Sequence, residues 1–394
     1  MRAETAELTH PRPELAPLTD AVRAAAAAHQ RLAPRGAATW WPEAPPHVAP
    51  LSGAPSGVRR LDPADLVATV GAATPLPDLD AVLARAGTYV ALDAPGAAGR
   101  TLGGVLAAGS AGPLAAALGP PRDQVLGLTF VAGNGAVISV GGRVVKNVAG
   151  FDLAKVVVGG FGGFGYIVEA HLRLRALPPA DGTLAWTGRR AVIRDAAARA
   201  LAAGLAPAAL EAVAPGLASR IGLSGWALLV RALGSPEAVA AELDAARAAL
   251  AGVAGAPAEA PSDAWRRWRL EAGAPAVVVR IGADPEAWDD ALSLAETHLG
   301  EPAAASATVV RGTVRAGYAE ADAARIGALR AAAARRGWPV TLERGGTTLR
   351  SAAGVWGAME PRTLRLAETL RRAFDPNDVF AVPLWGAAGR DAPA

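Results

Sequence analysis

Three short segments of small residues could hold an anion through their backbone. Residues 34–39 read PRGAAT, residues 101–113 read TLGGVLAAGSAGP, and residues 158–165 read VGGFGGFG. Successive N–H groups in loops of this kind can converge on an anion without a side chain at each point. The first segment alone is also typical of an ordinary turn between a helix and a strand. Together the segments indicate a ligand that lies close against the backbone.

The third segment contains a GxGxxG pattern, formed by Gly160, Gly162 and Gly165. A dinucleotide-binding fingerprint of that form requires a helix directly after its last glycine. Residues 166–175 instead alternate between apolar and polar side chains, which is typical of a strand with one face on a core and one in water. The pattern therefore argues against a nicotinamide-dinucleotide site and predicts a tight loop that feeds a strand.

Lys146 and Asn147 form a polar pair close to the third segment. Such a pair can contact a ligand, or it can be buried and join a strand to a loop, and both interpretations remain open. Asp123 is more typical of a structural partner at a helix end or turn than of a catalyst. The chain also has five histidines: His10, His29, His47, His171 and His298. No paired carboxylates and no residues with metal-ligand spacing accompany them.

The composition favours a folded protein with a large core. The 394 residues are 52% hydrophobic and only 19% charged, which argues against wholesale disorder. The formal net charge is +3 and the arginines are scattered, so we expect no nucleic-acid partner. The absence of cysteine excludes disulfides, thiolate metal sites and cysteine-ligated iron–sulfur clusters within the chain.

Neither a membrane span nor a signal peptide is expected. No apolar run reaches the roughly 20 residues that a span needs. Residues 1–17 carry acids and prolines where a signal peptide has an apolar stretch. We therefore expect a cytoplasmic protein, which partners could also hold at the inner face of the cell membrane.

In the N-terminal half, helices and strands are expected to flank the small-residue segments. Residues 124–132 and 136–140 predict a hairpin, because an Asn-Gly turn joins them. The four glycines within residues 101–113 make a packed helix unfavourable there, since each interior glycine costs about 1 kcal/mol relative to alanine. The other expected elements are a poorly ordered lead-in over 1–17, a helix over 18–32, a strand at 66–70, a helix at 74–86 and a strand at 89–92.

After residue 178, strand-like and helical runs alternate. This alternation is typical of an α+β domain, here with two ferredoxin-like halves. The expected strands lie at 184–187, 227–232, 276–281, 308–314 and 339–342, and the expected helices at 191–203, 236–251, 285–299, 319–336 and 361–374.

Several motifs resemble one protein family. They are residues 101–113, residues 122–127 (RDQVLG), residues 146–153 (KNVAGFDL, similar to the family's KNVAGYDL) and residues 158–169 (similar to its GxxGxxGxxTE segment). These motifs resemble the FAD-linked oxidases that carry a flavin-binding domain of the vanillyl-alcohol-oxidase or PCMH type. More narrowly, the chain is similar to the FAD-binding subunits (E subunits) of bacterial glycolate oxidases, over about residues 18–178.

The resemblance implies an α+β fold in two domains. A PCMH-type FAD-binding domain of two α+β subdomains would occupy residues 18–178. A smaller, ferredoxin-like α+β C-terminal (cap) domain would follow over residues 179–374, with a C-terminal tail over 375–394. The sequence departs from the family pattern at several positions. Ala37 and Ala38 stand where the first loop usually has glycine, and Val168 replaces a threonine.

The resemblance also implies FAD as the cofactor, with its diphosphate buried between the two subdomains. The first two segments would hold the pyrophosphate, and the third would serve the adenine-ribose and flavin side. The residues that it assigns to the cofactor are Arg35, Gly36, Ala37, Ala38, Thr39, Thr101, Gly103, Gly104, Gly109, Ser110, Ala111, Gly112, Asp123, Lys146, Asn147, Gly159, Gly162, Gly165, Ile167 and Val168.

A complete substrate site is not evident. Oxidation of a 2-hydroxy acid by a flavin needs a base for the hydroxyl proton and a cation for the carboxylate. Catalytic members of the wider family have a histidine-rich HxGDGNxH segment, which this sequence lacks. Arg280, Arg311 and Arg315 lie on expected strands and could bind a carboxylate, although such arginines more often pair with acids or water. No catalytic residue and no metal site is assigned.

These observations predict the FAD-binding subunit of a glycolate oxidase-like complex that oxidises glycolate, a small 2-hydroxy acid, to glyoxylate. The resemblance implies two partners, a catalytic flavoprotein subunit that completes the substrate chemistry and an iron–sulfur subunit. The cysteine-free composition fits a cluster in a partner. Two alternatives remain: a self-sufficient FAD-dependent hydroxy-acid or alcohol oxidoreductase, and a non-catalytic scaffold that has lost FAD.

Overall fold

The computed structural model describes residues 12–41, 43, 48–142, 153–357 and 359–384. Its N-terminal part contains α1 Ala16–Ala27, β1 Leu32–Pro34, β2 Ala49–Leu51, β3 Val58–Asp62, β4 Val67–Gly71, α2 Leu76–Arg85, β5 Thr88–Tyr89, α3 Leu102–Ala108, α4 Ala115–Leu118, β6 Val125–Val131, β7 Val137–Gly141, α5 Ala154–Val157, β8 Tyr166–Arg173 and β9 Arg175–Ala176.

The C-terminal part contains a second set of elements. They are β10 Ala180–Gly188, α6 Arg190–Ala202, β11 Ala209–Val213, α7 Pro215–Arg220, β12 Trp226–Gly234, α8 Pro236–Leu250, β13 Ala256–Glu259, α9 Ala264–Glu271, β14 Val277–Gly282, α10 Trp288–Leu299, β15 Ala304–Thr308, β16 Thr313–Tyr318, α11 Ala323–Ala334, β17 Val340–Arg344, α12 Thr347–Ala353 and α13 Pro361–Phe374.

A five-stranded antiparallel sheet organises the N-terminal part. Its strand order is β3-β4-β8-β6-β7, so β8 is the central strand. The expectation that one face of β8 meets water is wrong for its first half. Glu169 is buried there and accepts a hydrogen bond from Arg12 at 2.8 Å, while His171 is half-buried and Arg173 is exposed. A central strand is covered on both faces, and the buried carboxylate is accommodated by an ion pair.

Each face of this sheet packs against apolar side chains. On one face α2 and α3 bury leucines and valines such as Leu79 and Val105. On the other face lie Val22 of α1 and the chain near Phe380. Residues 12–17, expected to belong to a poorly ordered lead-in, instead form a short 3₁₀ turn and the start of α1. Residues 375–384, expected to be a loose tail, are largely buried, and Phe380 forms a parallel bridge with Leu32.

The glycine-rich segment at residues 101–113 does form a helix, contrary to the sequence-based expectation. Thr101 caps α3 by accepting a hydrogen bond from the Gly104 N–H, and Gly109 ends the helix in the left-handed conformation. A Cβ at Gly103 would lie 2.8 Å from the Cβ of Ala72. The missing side chain therefore allows α3 to pack directly on the end of β4, which compensates for its poor helix propensity.

An eight-stranded antiparallel sheet organises the C-terminal part, with the order β13-β10-β12-β11-β15-β16-β14-β17. The strands from β10 to β13 form one ferredoxin-like β-α-β-β-α-β unit, and those from β14 to β17 form a second one. The two units join through the antiparallel pair of β11 and β15. The expectation of two ferredoxin-like halves is confirmed.

The two faces of this sheet differ in character. One face is apolar and packs under α6, α8, α10 and α11. On the opposite face, polar residues of the inner strands are directed toward the N-terminal part: Glu211, Ser306, Thr308, Arg315 and Glu343 are all buried there. Within the described ranges, no helix is long and apolar enough to cross a membrane.

Candidate cofactor-binding site

A cavity of about 360 Å³ lies where three small-residue segments of the N-terminal part meet α12 of the C-terminal part. Its volume falls within the range of small-molecule sites. Eleven of the residues that the sequence assigned to a cofactor line it: Arg35, Gly36, Ala37, Ala38, Thr39, Thr101, Gly103, Gly104, Gly162, Gly165 and Ile167. The fold thus brings together three segments, of which the first and the third are more than 100 residues apart in the chain.

The first of these loops follows β1 directly. The Arg35 N–H donates to the Leu51 carbonyl at 2.9 Å, and the Arg35 carbonyl accepts from the Tyr166 hydroxyl at 2.9 Å. A Cβ at Gly36 would lie 2.6 Å from the Thr101 Oγ1, so only glycine allows this loop to touch the start of α3. Ala38 adopts a left-handed conformation with a φ of 55°.

The start of α3 offers a smooth surface to the cavity. The N–H groups of Leu102 and Gly103 donate to the carbonyls of Thr74 and Ala72 at 2.9 and 2.8 Å. Because these donors are engaged within the chain, the glycines of this segment serve close backbone approach and leave a wall without side chains. The sequence-based expectation was that N–H groups of this segment can converge on an anion, whereas these two donors bind carbonyls of the chain.

The third loop forms the opposite wall. Gly162 has a φ of 83°, and a Cβ there would lie 3.2 Å from the Pro34 Cβ, so this loop packs against the end of β1. Phe161 also adopts a positive φ of 53°. Its ring stacks on Trp41 with centroids 5.5 Å apart and an interplanar angle of 9°. This aromatic pair gives the cavity a flat, apolar side.

Other assigned residues lie outside the cavity lining. A Cβ at Gly109 would lie 2.9 Å from the Gly159 Cα, so the missing side chain at Gly109 allows two loops to pack together. Val168 is fully buried in the core, and the Asp123 side chain is about half exposed beside Arg122. Lys146 and Asn147 lie outside the described residues. A cofactor role for these positions stays a prediction.

Ser110, Ala111 and Gly112 lie on the side of the N-terminal part that faces the eight-stranded sheet. Asp93 holds this loop, because its carboxylate accepts from the Gly112 N–H at 3.2 Å and from the Leu114 N–H at 2.8 Å. Burial raises the pKa of Asp93, and the hydrogen bond from Leu114 opposes that rise. The buried Ser110 hydroxyl has no hydrogen-bond partner among the described residues.

The arginines considered for a substrate carboxylate are already engaged. Arg315 donates to both oxygens of Glu343, at 2.7 and 3.2 Å, and to the Ala111 carbonyl at 3.1 Å. Arg280 lies 3.1 Å from Glu343, and Arg311 donates to the Ala115 carbonyl at 3.3 Å. These contacts join the C-terminal sheet to the loop at residues 110–115, so each of the three guanidinium groups already has a partner within the chain.

A buried carboxyl accompanies this network. Burial raises the pKa of Glu211 to about 8, while hydrogen bonds with Ser306 and Thr308 act in the opposite direction. Its Oε2 atom has no partner within the described part of the chain. Glu211 is therefore mostly protonated at neutral pH. Sequence patterns gave no signal for this residue, because buried strand positions are ordinarily apolar.

The described histidines do not provide a catalytic base at the cavity. His171 lies on β8 with its Nδ1 2.9 Å from the Thr69 Oγ1, and His29 and His298 lie on exposed or half-buried surface. None of the three lines the cavity. Groups of three or more potential metal ligands are also absent among the described residues. His10 and His47 lie outside the described residues.

The cavity has features that suit a large anionic, aromatic ligand such as FAD. Polar hydrogens are left without acceptors around it: the indole Nε1 atoms of Trp40 and Trp41 and the Nε of Arg350 are buried and have no partner among the described residues. Buried donors are ordinarily satisfied, so unmatched ones indicate a missing partner. Sequence reasoning missed these three residues, because loop tryptophans and a helix arginine carry no motif.

Comparison with known proteins places these observations in a class. Residues 15–141 match the family model described as an FAD binding domain. The glycolate oxidase subunit GlcE of Escherichia coli is 37% identical over 129 residues, which are 32% of this chain and 37% of that protein. The mitochondrial cytochrome D-lactate dehydrogenase of Arabidopsis thaliana is 38% identical over 101 residues, 26% of this chain and 18% of that protein.

Another relative is the glycolate oxidase subunit GlcD of Bacillus subtilis, 32% identical over 127 residues, which are 32% of this chain and 27% of that protein. The matched segments therefore cover less than two fifths of the length of each of these relatives. The solved structure of an alkyldihydroxyacetonephosphate synthase superposes on this chain with a TM-score of 0.64 at 16% identity. The superposition covers 93% of this chain and 74% of the synthase chain. That likeness shows a shared fold.

The N-terminal part is thus an FAD-binding domain of the PCMH type. The matched segments are similar to FAD-linked oxidases, and FAD is the cofactor of this domain. The expected α+β fold class is confirmed.

Proposed function

We propose that this protein is the FAD-binding subunit of a complex that oxidises a small 2-hydroxy acid, glycolate, to glyoxylate. The proposal is supported by the similarity to GlcE and by the cavity at which the three small-residue segments converge. The proposal includes two domains, a cofactor-binding domain over residues 18–178 and a C-terminal domain over residues 179–374.

The chain's own residues would bind and orient the cofactor. Arg35 to Thr39 and the start of α3 would border the diphosphate, because these segments bring backbone close to the cavity without side chains in the way. Trp41 and Phe161 would cover an aromatic part of the cofactor by stacking. When bound, FAD supplies reversible acceptance of a hydride or of single electrons.

The substrate chemistry would be completed by a partner flavoprotein. The observation that supports this step is that Arg315 and Arg280 of the C-terminal sheet both form ion pairs with Glu343. A substrate carboxylate would need a free cation at this place. None of the described histidines lines the cavity, so none of them is placed to act as a base for the hydroxyl proton.

The test is to purify the chain alone and together with the catalytic flavoprotein and iron–sulfur subunits of a glycolate oxidase. The isolated chain should show flavin absorbance that glycolate does not bleach under anaerobic conditions, and the assembled complex should be bleached. Bleaching of the isolated chain by glycolate or D-lactate would instead establish a self-sufficient oxidoreductase. A chain that stays colourless after FAD is added would establish a scaffold.

A further inference from the structure

The C-terminal part contributes directly to the cavity through α12. Thr347, Arg350 and Ser351 of this helix line it together with the loop at residues 35–39. These residues lie about 200 positions after the end of the matched FAD-binding segment, residues 15–141. The cavity is therefore completed by a part of the chain that the family comparison does not include.

Arg350 is held in a defined orientation. Its side chain is buried, with the residue only 2% exposed. Nη2 donates to the Glu43 carbonyl at 3.1 Å and to the Thr347 Oγ1 at 3.2 Å. The guanidinium lies 4.4 Å from the centre of a Trp41 ring, which itself stacks on Phe161. The Arg350 Nε, in contrast, is buried and has no acceptor among the described residues.

Arg350 forms no ion pair with a carboxylate among the described residues, although the charge of Glu43, which also lines the cavity, acts on it. Its hydrogen-bond acceptors are a carbonyl and a hydroxyl. The pKa of Arg350 is lowered to about 10, mainly by burial and also by the charge of Arg35, while the charge of Glu43 opposes the shift. The group is still a cation at neutral pH. A buried cation without a counter-ion is unfavourable, so an anion is expected beside it.

We propose that Arg350 binds the diphosphate of FAD from the C-terminal part of the chain. This rests on the proposed use of the cavity for FAD. The guanidinium would supply the charge-assisted hydrogen bonds that the engaged N–H groups of α3 cannot supply. Because Arg350 lies on α12, bound FAD links the C-terminal part to the N-terminal part.

The test compares Arg350→Gln with wild type in the full chain freed of FAD. Affinities for FAD, ADP and riboflavin are measured by calorimetry; ADP carries the diphosphate and riboflavin carries none. Arg350→Gln should weaken FAD and ADP binding about 10- to 100-fold, the range for lost hydrogen bonds to a charged group. Riboflavin affinity should not change. Arg350→Lys keeps the charge without the planar fork. Its affinities for FAD and ADP should lie between those of wild type and Arg350→Gln.

Arg344→Gln is the matched control. Arg344 lies on the neighbouring strand β17 and donates to the carbonyls of Gly273 and Ala274, away from the cavity, so FAD affinity should remain at the wild-type value. Hydrogen exchange should also slow at residues 347–353 when FAD binds to wild type. If Arg350→Gln weakens the affinities for riboflavin and ADP equally, or weakens neither, the proposed role of Arg350 is wrong. The proposed function would not be affected by that result. A wild-type chain that binds no FAD would overturn the proposed function as well.

If Arg350→Gln does not fold, Arg350→Lys decides. A loss of FAD and ADP affinity with unchanged riboflavin affinity in that variant supports the proposal. Wild-type affinity for all three ligands contradicts it, because a lysine at this position cannot reproduce the two-donor geometry of the guanidinium.

Discussion

Arg315 and Glu343 form a buried ion pair at the junction of the two parts of the chain, with the Arg315 Nε 2.7 Å from the Glu343 Oε2 and side chains 4% and 1% exposed. Burial alone would raise the pKa of Glu343, but the charges of Arg315 and Arg280 outweigh it and hold the pKa below its ordinary value. One acid thus pairs with two arginines on the sheet face where a substrate carboxylate could otherwise bind.

Removing the charge of this acid should destabilise the protein strongly. Glu343→Gln leaves Arg315 buried and Arg280 partly buried without a counter-charge, and breaking a buried pair in this way costs about 3–5 kcal/mol. Unfolding in urea at pH 7 measures the difference. Asp181→Asn is the control, since Asp181 is exposed and its ion pair with Arg231 should contribute much less. Equal effects of the two substitutions would contradict the assigned importance of the buried pair.

The stability of the protein should also depend on the protonation of Glu211. Its folded pKa of about 8 exceeds the ordinary value of 4.5, mainly because of burial. The folded state therefore holds a proton that the unfolded state releases. The resulting stability is fully present below pH 4.5 and is lost as the pH rises to 8, by up to about 1.4 kcal/mol per pH unit.

Glu211→Gln tests this dependence, because the amide is neutral at every pH. The variant's free energy of unfolding, measured in urea at several pH values from 5 to 8.5, should fall less steeply than that of wild type. Glu259→Gln, at an exposed position of β13, should keep the wild-type slope. An unchanged slope in Glu211→Gln would show that this carboxyl is not the titrating group.

Local patterns in the sequence predicted much of the fold. The Asn-Gly turn at residues 134–135 predicted the hairpin of β6 and β7, because turn type and alternation act within a few residues. The helix at 361–374 was predicted at its observed limits. Residues 308–314 were wrongly predicted as one strand. A 3₁₀ turn at Val309–Arg311 and a left-handed Gly312 divide this stretch between β15 and β16.

The candidate site was less predictable, because its completing contacts depend on the tertiary fold. Arg350 and Trp41 are more than 300 residues apart, and neither belongs to a motif. Gly109 was predicted to contact a ligand, and its missing side chain also allows two loops to pack together. Sequence spacing shows that a side chain is missing, but not whether a ligand or another part of the backbone occupies the space.

The packing role of Gly109 leads to a third prediction. Gly109→Ala should destabilise the protein by about 1–3 kcal/mol, since the residue has a φ of 59° and the new Cβ would lie 2.9 Å from the Gly159 Cα. The measurement is unfolding in urea without FAD. Gly327→Ala in α11 should have the opposite effect and stabilise by about 0.5–1 kcal/mol, because its surroundings are open and alanine favours a helix. Two effects of the same sign would refute this reading of Gly109.

Ala38 provides a test of the first loop. Its φ of 55° lies in the left-handed region, which costs an alanine about 1–2 kcal/mol, whereas glycine adopts it readily. After the entropic cost of glycine in the unfolded chain, Ala38→Gly should stabilise the protein by about 0.5–1 kcal/mol. FAD affinity should be retained or increased, because the backbone keeps its course along the cavity. Ala37→Gly is the control, since its φ is not positive and the same substitution should destabilise slightly. A loss of stability in Ala38→Gly would mean that the alanine methyl group contributes packing that outweighs the backbone strain.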